Sequence, residues 1–164
     1  MSAFTTRRLT AADLAAYRTV RNEGLTNDSG SFRISVADDD AQGEAVWKKR
    51  LDEDYVVAVE DGGRILGIGG FSRMSGTKAD HKGLIWGMYV RPEARGKGVG
   101  DLVLQALVAH AQTVVRQLQL TVVAANPRAI AFYQRHGFRL YGVEPESIRH
   151  EGGFLDEALM WRLL

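Results

Sequence analysis

Two hydrophobic periods alternate along the chain, and their order predicts a β-α-α-β-β-β-α-β-α-β-β succession. Phe4 to Leu9 reads as a short strand. Thr10 is placed as an N-cap, with Asp13 at the capping-box position, and the following helix carries Leu14, Tyr17 and Val20 before a stop near Gly24. Asn27 to Gly30 is a loop. Asp38-Asp39-Asp40 suits the solvated start of a second helix, whose stripe is Val46, Trp47 and Leu51. Tyr55 to Val59 and Ile65 to Met74 read as strands joined by the tight turn Asp61-Gly62-Gly63, a strong hairpin signal. After a polar loop, Ser75 to Lys82, a further strand spans Leu84 to Val90.

A helix is predicted next, to about Val115, with Val99, Val103, Ala106, Leu107 and Val114 near one face. The strand Leu118 to Val123 follows it. Strand, helix and strand in this order favour a right-handed parallel crossover, whose strand ends open toward a ligand. Asn126-Pro127 starts a short helix that Gly137 closes. Phe138 to Tyr141 begins a strand, Glu144 to Gly153 is a loop, and Leu155 to Leu164 is a last strand, apolar on both faces and therefore buried. The whole chain, 1–164, is expected to be one α/β domain (mixed α+β) built on a mixed sheet.

Composition narrows the functional classes. The chain has 164 residues, 45% hydrophobic and 25% charged, in the ordinary range for a globular protein. A net charge of +1 gives no bulk electrostatic case for nucleic acid or membrane partners. There is no cysteine, so disulfides, a Cys-ligated metal and a cysteine nucleophile are excluded, and no metal site is expected. The segment Met1 to Arg8 lacks the apolar core of a signal peptide, and no apolar run would span a bilayer. The default expectation is a cytoplasmic protein. The apolar last strand is compatible with a homodimer.

The densest chemistry lies at Arg95-Gly96-Lys97-Gly98-Val99-Gly100, between a strand and a helix. Glycines there permit a sharp turn and close approach to the amides, and the helix start offers unpaired N–H groups and a positive dipole end. This is an anion site, with Arg95 and Lys97 adding cations. Asp101 stands where a dinucleotide fingerprint needs its third glycine, and Gly98 where a P-loop needs a hydroxyl.

The Arg-x-x-Gly-x-Gly order after Met88-Tyr89-Val90-Arg91-Pro92-Glu93 resembles the pyrophosphate-binding signature of the GCN5-related N-acetyltransferase (GNAT) family. Asn126 to Phe138, with its aromatic helix and Gly137-Phe138, resembles the second hallmark of that family, at the required distance, and Leu155 to Met160 resembles its last strand. The resemblance runs from about Leu9 to Leu164. It implies a central, mostly antiparallel twisted sheet in which one parallel strand pair splays apart to hold acetyl-CoA.

By the same resemblance, main-chain groups near Met88, Tyr89 and Val90 would pair with the pantetheine arm. Amides from Arg95, Gly96, Lys97, Gly98, Val99 and Gly100 would hold the pyrophosphate, and Asn126 would both cap its helix and reach the arm. Tyr133 would be the general acid for the departing thiolate, a phenol's pKa of ~10 and a thiol's of ~8.5 being close enough for proton transfer. Tyr89 is given a core side chain. No acid occupies the strand before the glycine loop, so the general base stays open between a water relay, His81 and Glu157.

The implied reaction is acetyl transfer to the amine of a small, amino-acid-like molecule. A peptide acceptor and a non-catalytic acyl-CoA-binding module remain as alternatives. Acids such as Asp38, Asp39, Asp40, Glu44, Glu144, Glu146 and Glu151 would favour a cationic acceptor, whereas Arg33, Arg73 and Arg149 would favour an acidic one.

Overall fold

A computed structural model describes residues 3–164; Met1 and Ser2 lie outside the described residues. Seven strands form one sheet: β1 Thr5–Arg8, β2 Tyr55–Asp61, β3 Arg64–Arg73, β4 Lys82–Val90, β5 Gln117–Val123, β6 Arg139–His150 and β7 Gly153–Leu163. Their spatial order is β1-β2-β3-β4-β5-β7-β6, and β4–β5 is the only parallel pair among the described residues. Five helices flank the sheet: α1 Leu14–Asn27, α2 Val36–Ala41, α3 Glu44–Glu53, α4 Val99–Ala111 and α5 Pro127–Arg135.

The alternation along β2 explains why both faces are covered. Val57 and Val59 join a core under α4, with Val99, Val103, Leu104 and Leu107. Val56 and Ala58 join a second core, with Tyr17, Val20, Trp47 and Leu51 of α1 and α3. Each fully buried branched side chain of this kind contributes about 1.5–3 kcal/mol, so the apolar stripes fix the layering.

Several boundaries differ from the sequence expectation for identifiable reasons. Helix α1 passes Gly24 and ends at Asn27, because Gly24 is a packing residue and not a stop. A Cβ there would come 2.8 Å from Tyr89 Cγ. Asp38 to Asp40 lie in α2, which Gln42-Gly43 separates from α3, and Asp39 is wholly buried. Helix α4 ends at Ala111, where Thr113, Val114 and Val115 turn the chain toward β5; two of these are β-branched valines, which suit a strand better than a helix.

The segment 144–153, expected as a loop, belongs to the β6–β7 hairpin. Its pairing is interrupted between Glu144 and Ile148, with Glu146 at φ 49°. Pro145 is tolerated because β6 is an edge strand. Strand β7 lies between β5 and β6, so both its edges are occupied, and the free edges of the sheet are β1 and β6. Burial along β7 is uneven: Ala158 and Met160 are inside on one face, while on the other Glu157 is buried and Leu163 is half exposed.

Candidate active site

The site follows from a failure of strand pairing. β4 and β5 hydrogen-bond over three positions only, Lys82–Leu84 against Gln117–Gln119. Beyond them the register of β4 against β3 slips, with one more residue on β4 between Trp86 and Tyr89 than on β3. Gly87 lies in this bulge at φ +63°, a left-handed conformation that glycine adopts without strain. The bulge bends β4 away from β5, and the two strands open like a V whose lips are Ile85–Val90 and Leu120–Val123.

Two cavities fill the opening. One, of about 490 Å³, runs over the glycine loop and is lined by Met88, Tyr89, Val90, Gly96, Gly98, Gly100 and α5. The other, of about 470 Å³, lies between the lips, the segment Ser31–Ile34 and α3. They share Asp28, Met88, Asn126, Ala129 and Tyr133, so these residues mark where they meet.

The loop residues divide by role. Gly96 and Gly98 have φ of +73° and +82° and nothing within 4 Å of where a Cβ would stand. Among the described residues, the N–H groups of Gly96, Lys97 and Gly98 donate to no main-chain carbonyl, whereas that of Arg95 reaches Pro92 O at 3.3 Å. The start of α4 adds its own orphan donors. This is a concave set of amides that an anion would satisfy.

The expected pair of loop cations is not free in both members. Arg95 donates to Val90 O at 3.0 Å and Asp28 Oδ2 at 2.8 Å, so its charge is engaged in holding the loop. Lys97 is exposed and lines neither cavity. The Val99 side chain is fully buried in the core, so only its amide is available to a ligand. Arg128 and Arg135 line the loop cavity and were not singled out in the sequence. They are seven residues apart, two helical turns, a spacing that puts both on one face of α5.

Asn126 caps α5: its Oδ1 accepts the Ala129 N–H at 3.1 Å, which leaves its amide N–H2 free. Tyr133 is packed edge-on against Phe132 and Phe138, with ring centres 5.1 and 5.9 Å away. Burial pushes its pKa up, and no charged or hydrogen-bonded neighbour opposes the shift. The phenol therefore stays protonated at neutral pH. Tyr89 is buried in the second core; its hydroxyl donates to Glu23 at 3.0 Å and accepts from Asn27 at 3.2 Å.

Of the two side chains weighed as general base, His81 is exposed at the start of β4 and lines neither cavity. Glu157 does line the second cavity and is 2% exposed. Burial would raise its pKa, but hydrogen bonds from Ser147, Arg33 and Thr121 outweigh this and hold it below the usual carboxylate range. A carboxylate so held stays ionised and is a weak proton acceptor. Arg33 also donates to Glu144 at 2.6 Å. Arg73 and Arg149 are outside the cavity, as are Asp38, Glu44, Glu144, Glu146 and Glu151.

Comparison with known proteins fits this geometry. Residues 22–138 match the model of the acetyltransferase (GNAT) family. The chain belongs to the GNAT family. This GNAT protein is 26% identical over 152 residues to the L-methionine sulfoximine/L-methionine sulfone acetyltransferase of Pseudomonas paraeruginosa, covering 91% of this chain and 88% of the relative. It is 32% identical over 73 residues to the peptidyl-lysine N-acetyltransferase YjaB of Salmonella typhimurium, over 44% of this chain and 43% of that one. The yncA protein of Salmonella typhimurium, solved with its cofactor acetyl-CoA, superposes with a TM-score of 0.85 at 23% identity, covering 99% of this chain and 95% of that chain. The mostly antiparallel seven-stranded sheet with one parallel pair is thus the GNAT fold.

Proposed function

We propose that this GNAT protein is an acetyl-CoA-dependent N-acetyltransferase whose acceptor is the amine of a small, amino-acid-like molecule. The observation that carries the reading is the meeting of two cavities at Met88, Asn126, Ala129 and Tyr133. One cavity has the open amides and left-handed glycines of an anion cradle. The other is of small-molecule size. The relative matched over most of both chains is named for small amino-acid substrates, whereas the peptidyl-lysine relative is matched over less than half.

The residues fit acetyl-CoA, which supplies an acyl group on a thiolate leaving group. Amides from Gly96 to Gly100 hold the pyrophosphate, with Arg128 and Arg135 adding positive charge at the cleft wall. The main chain around Met88, freed from β5 by the bulge, holds the pantetheine arm and polarises the thioester carbonyl. Asn126 donates from its free amide. Tyr133 keeps a proton on Oη beside the sulfur. Burial raises the phenol's pKa, but a thiolate leaving in the same dry place is destabilised in the same way, so the two stay matched for proton transfer. The acceptor enters from the second cavity as the neutral amine and attacks the thioester carbonyl directly; its nitrogen gives a proton to water as the amide forms, and the departing thiolate takes the proton of Tyr133.

The test combines melting and turnover. A ligand at about 100 times its Kd adds roughly 2.7 kcal/mol, so acetyl-CoA and CoA should raise Tm by several degrees, and ATP and NAD+ should not. Thiol release with L-methionine sulfone should follow. Tyr133→Phe should lower kcat by about 100-fold or more while the Tm rise with CoA persists. Absence of any shift with CoA or acetyl-CoA at millimolar concentration would sink the coenzyme assignment.

A further inference from the structure

One cation in the acceptor cavity lacks a close partner. Arg21 is tied to Asp39 by three contacts of 2.8–3.1 Å. Arg33 is held by Glu144 and Glu157. The two acids of the lining, Asp28 and Glu157, are held in turn by Arg95 and Arg33. Arg50, from the last turn of α3, also lines the cavity. Its one ion-pair contact is through Nε, to Asp54 Oδ2 at 3.4 Å, longer than the 2.7–2.9 Å of a strong charge-assisted bond. Both its Nη groups have no partner among the described residues, and the side chain is 35% exposed, enough to meet a ligand.

The guanidinium is nevertheless oriented. It lies 4.2 Å from the ring centre of Trp86 and 5.1 Å from that of Trp47. Trp86 is fixed by a relay: its Nε1–H donates to Ser72 Oγ at 2.7 Å, and Ser72 donates to Asp54 at 2.7 Å, the same carboxylate oxygen that Arg50 Nε faces. A guanidinium held over aromatic rings with its Nε toward a carboxylate leaves the two Nη groups as a planar fork, which matches a carboxylate. Trp86 stands two residues before Met88 on β4, so the ring beneath the fork and the site where the cavities meet share one strand.

We propose that Arg50 is a specificity-determining residue, and that its Nη fork binds a carboxylate carried by the acceptor. The inference rests on the small-amine acceptor reading and narrows it to amines that bear a carboxylate. An acceptor without one leaves the fork unsatisfied and loses a charge-assisted interaction.

The experiment compares L-methionine sulfone with its carboxamide as acceptors, for wild type, Arg50→Gln and Arg50→Lys. The readout is the ratio of kcat/KM for the two compounds within each variant, so a loss of folded protein cancels. Wild type should prefer the carboxylate by about 10- to 100-fold. Arg50→Gln should bring the ratio to within about threefold of unity, and Arg50→Lys, which keeps the charge without the fork, should fall between. An unchanged ratio in Arg50→Gln, or no preference in wild type, would overturn the proposal and leave the acetyltransferase reading intact. If Arg50→Gln is insoluble, an unchanged ratio in Arg50→Lys has the same force. Turnover of neither compound, with the melting response to CoA intact, would reject the amino-acid acceptor class, and the role of Arg50 with it.

Discussion

The two cavities of this site are built in opposite ways. The donor side is local and made of backbone: the glycine loop and the start of α4 supply its anion cradle within one continuous stretch of chain. The acceptor side is distributed and made of side chains, drawn from α1, α3, β4, β5, β7 and the segment Ser31–Ile34. The donor cradle needs free amides, which the backbone offers once left-handed glycines have made the turn. The acceptor wall needs charges taken out of water, which are tolerable only when paired. The ion pairs of Arg21 with Asp39 and Arg33 with Glu157 meet that need, and they stiffen the wall against which Arg50 and Trp86 stand.

The sharpest way to separate the two halves is to break the acceptor wall. Asp39 is wholly buried and serves Arg21 and Arg18 from a different helix. Replacing it by Asn should cost about 3–5 kcal/mol, because a buried cation is left uncompensated. In urea melts the midpoint should fall accordingly, and acceptor KM should rise by more than the Kd for CoA. The same residue predicts an acid limit. Burial raises the Asp39 pKa, but Arg21 and Arg18 outweigh it, as Ser147 and Arg33 do for Glu157, so both folded-state values are depressed. Their stabilisation is complete above the unfolded carboxylate pKa of about 4 and is lost as pH falls through the lower folded values. Wild-type Tm should therefore drop below about pH 4, and less steeply in Asp39→Asn.

The complementary break is at the loop. Gly98 sits at φ +82° with open space around its missing Cβ, so a side chain there meets strain and no clash. Gly98→Val should cost about 1–3 kcal/mol of backbone strain. Part of it would be relieved by moving the amides, so calorimetry should show CoA binding weakened by about tenfold or more, with the Arg50-dependent acceptor preference retained. If that preference collapsed as well, the two halves would not be separable. The smallest effect is expected at the junction: Asn126→Ala removes an N-cap worth about 1 kcal/mol, a Tm loss of about 2–4 °C. A larger fall in acetyl-CoA affinity than in stability would show that the free amide of Asn126 contacts the coenzyme.

The amino-acid sequence alone determined the succession of the seven strands, the hairpin turn at Asp61-Gly62-Gly63, the parallel crossover and both GNAT hallmarks, because each depends on neighbours within a few residues; it read α2 and α3 as one helix. It also placed the Asn126 cap and the core side chain of Tyr89. Tertiary structure decided what lies further apart. Gly24 reads as a helix stop until Tyr89 is seen packed on it, and Asp39 reads as solvated until Arg21 and Arg18 close over it. The stretch Glu144 to Gly153 reads as a loop until β6 and β7 pair as a hairpin through it. His81 and Glu157 both stayed open along the chain, beside a water relay, and of the two side chains only Glu157 lines the cavity between β4 and β5. Arg50 carries no local signal at all, since a surface arginine and a ligand-binding one look alike in a helix. Its environment comes from Trp86, Ser72 and Asp54, brought together by the register of β3 against β4 and the packing of α3. Local propensities follow from short-range sterics and solvation, whereas the charge state and partners of a side chain follow from long-range packing.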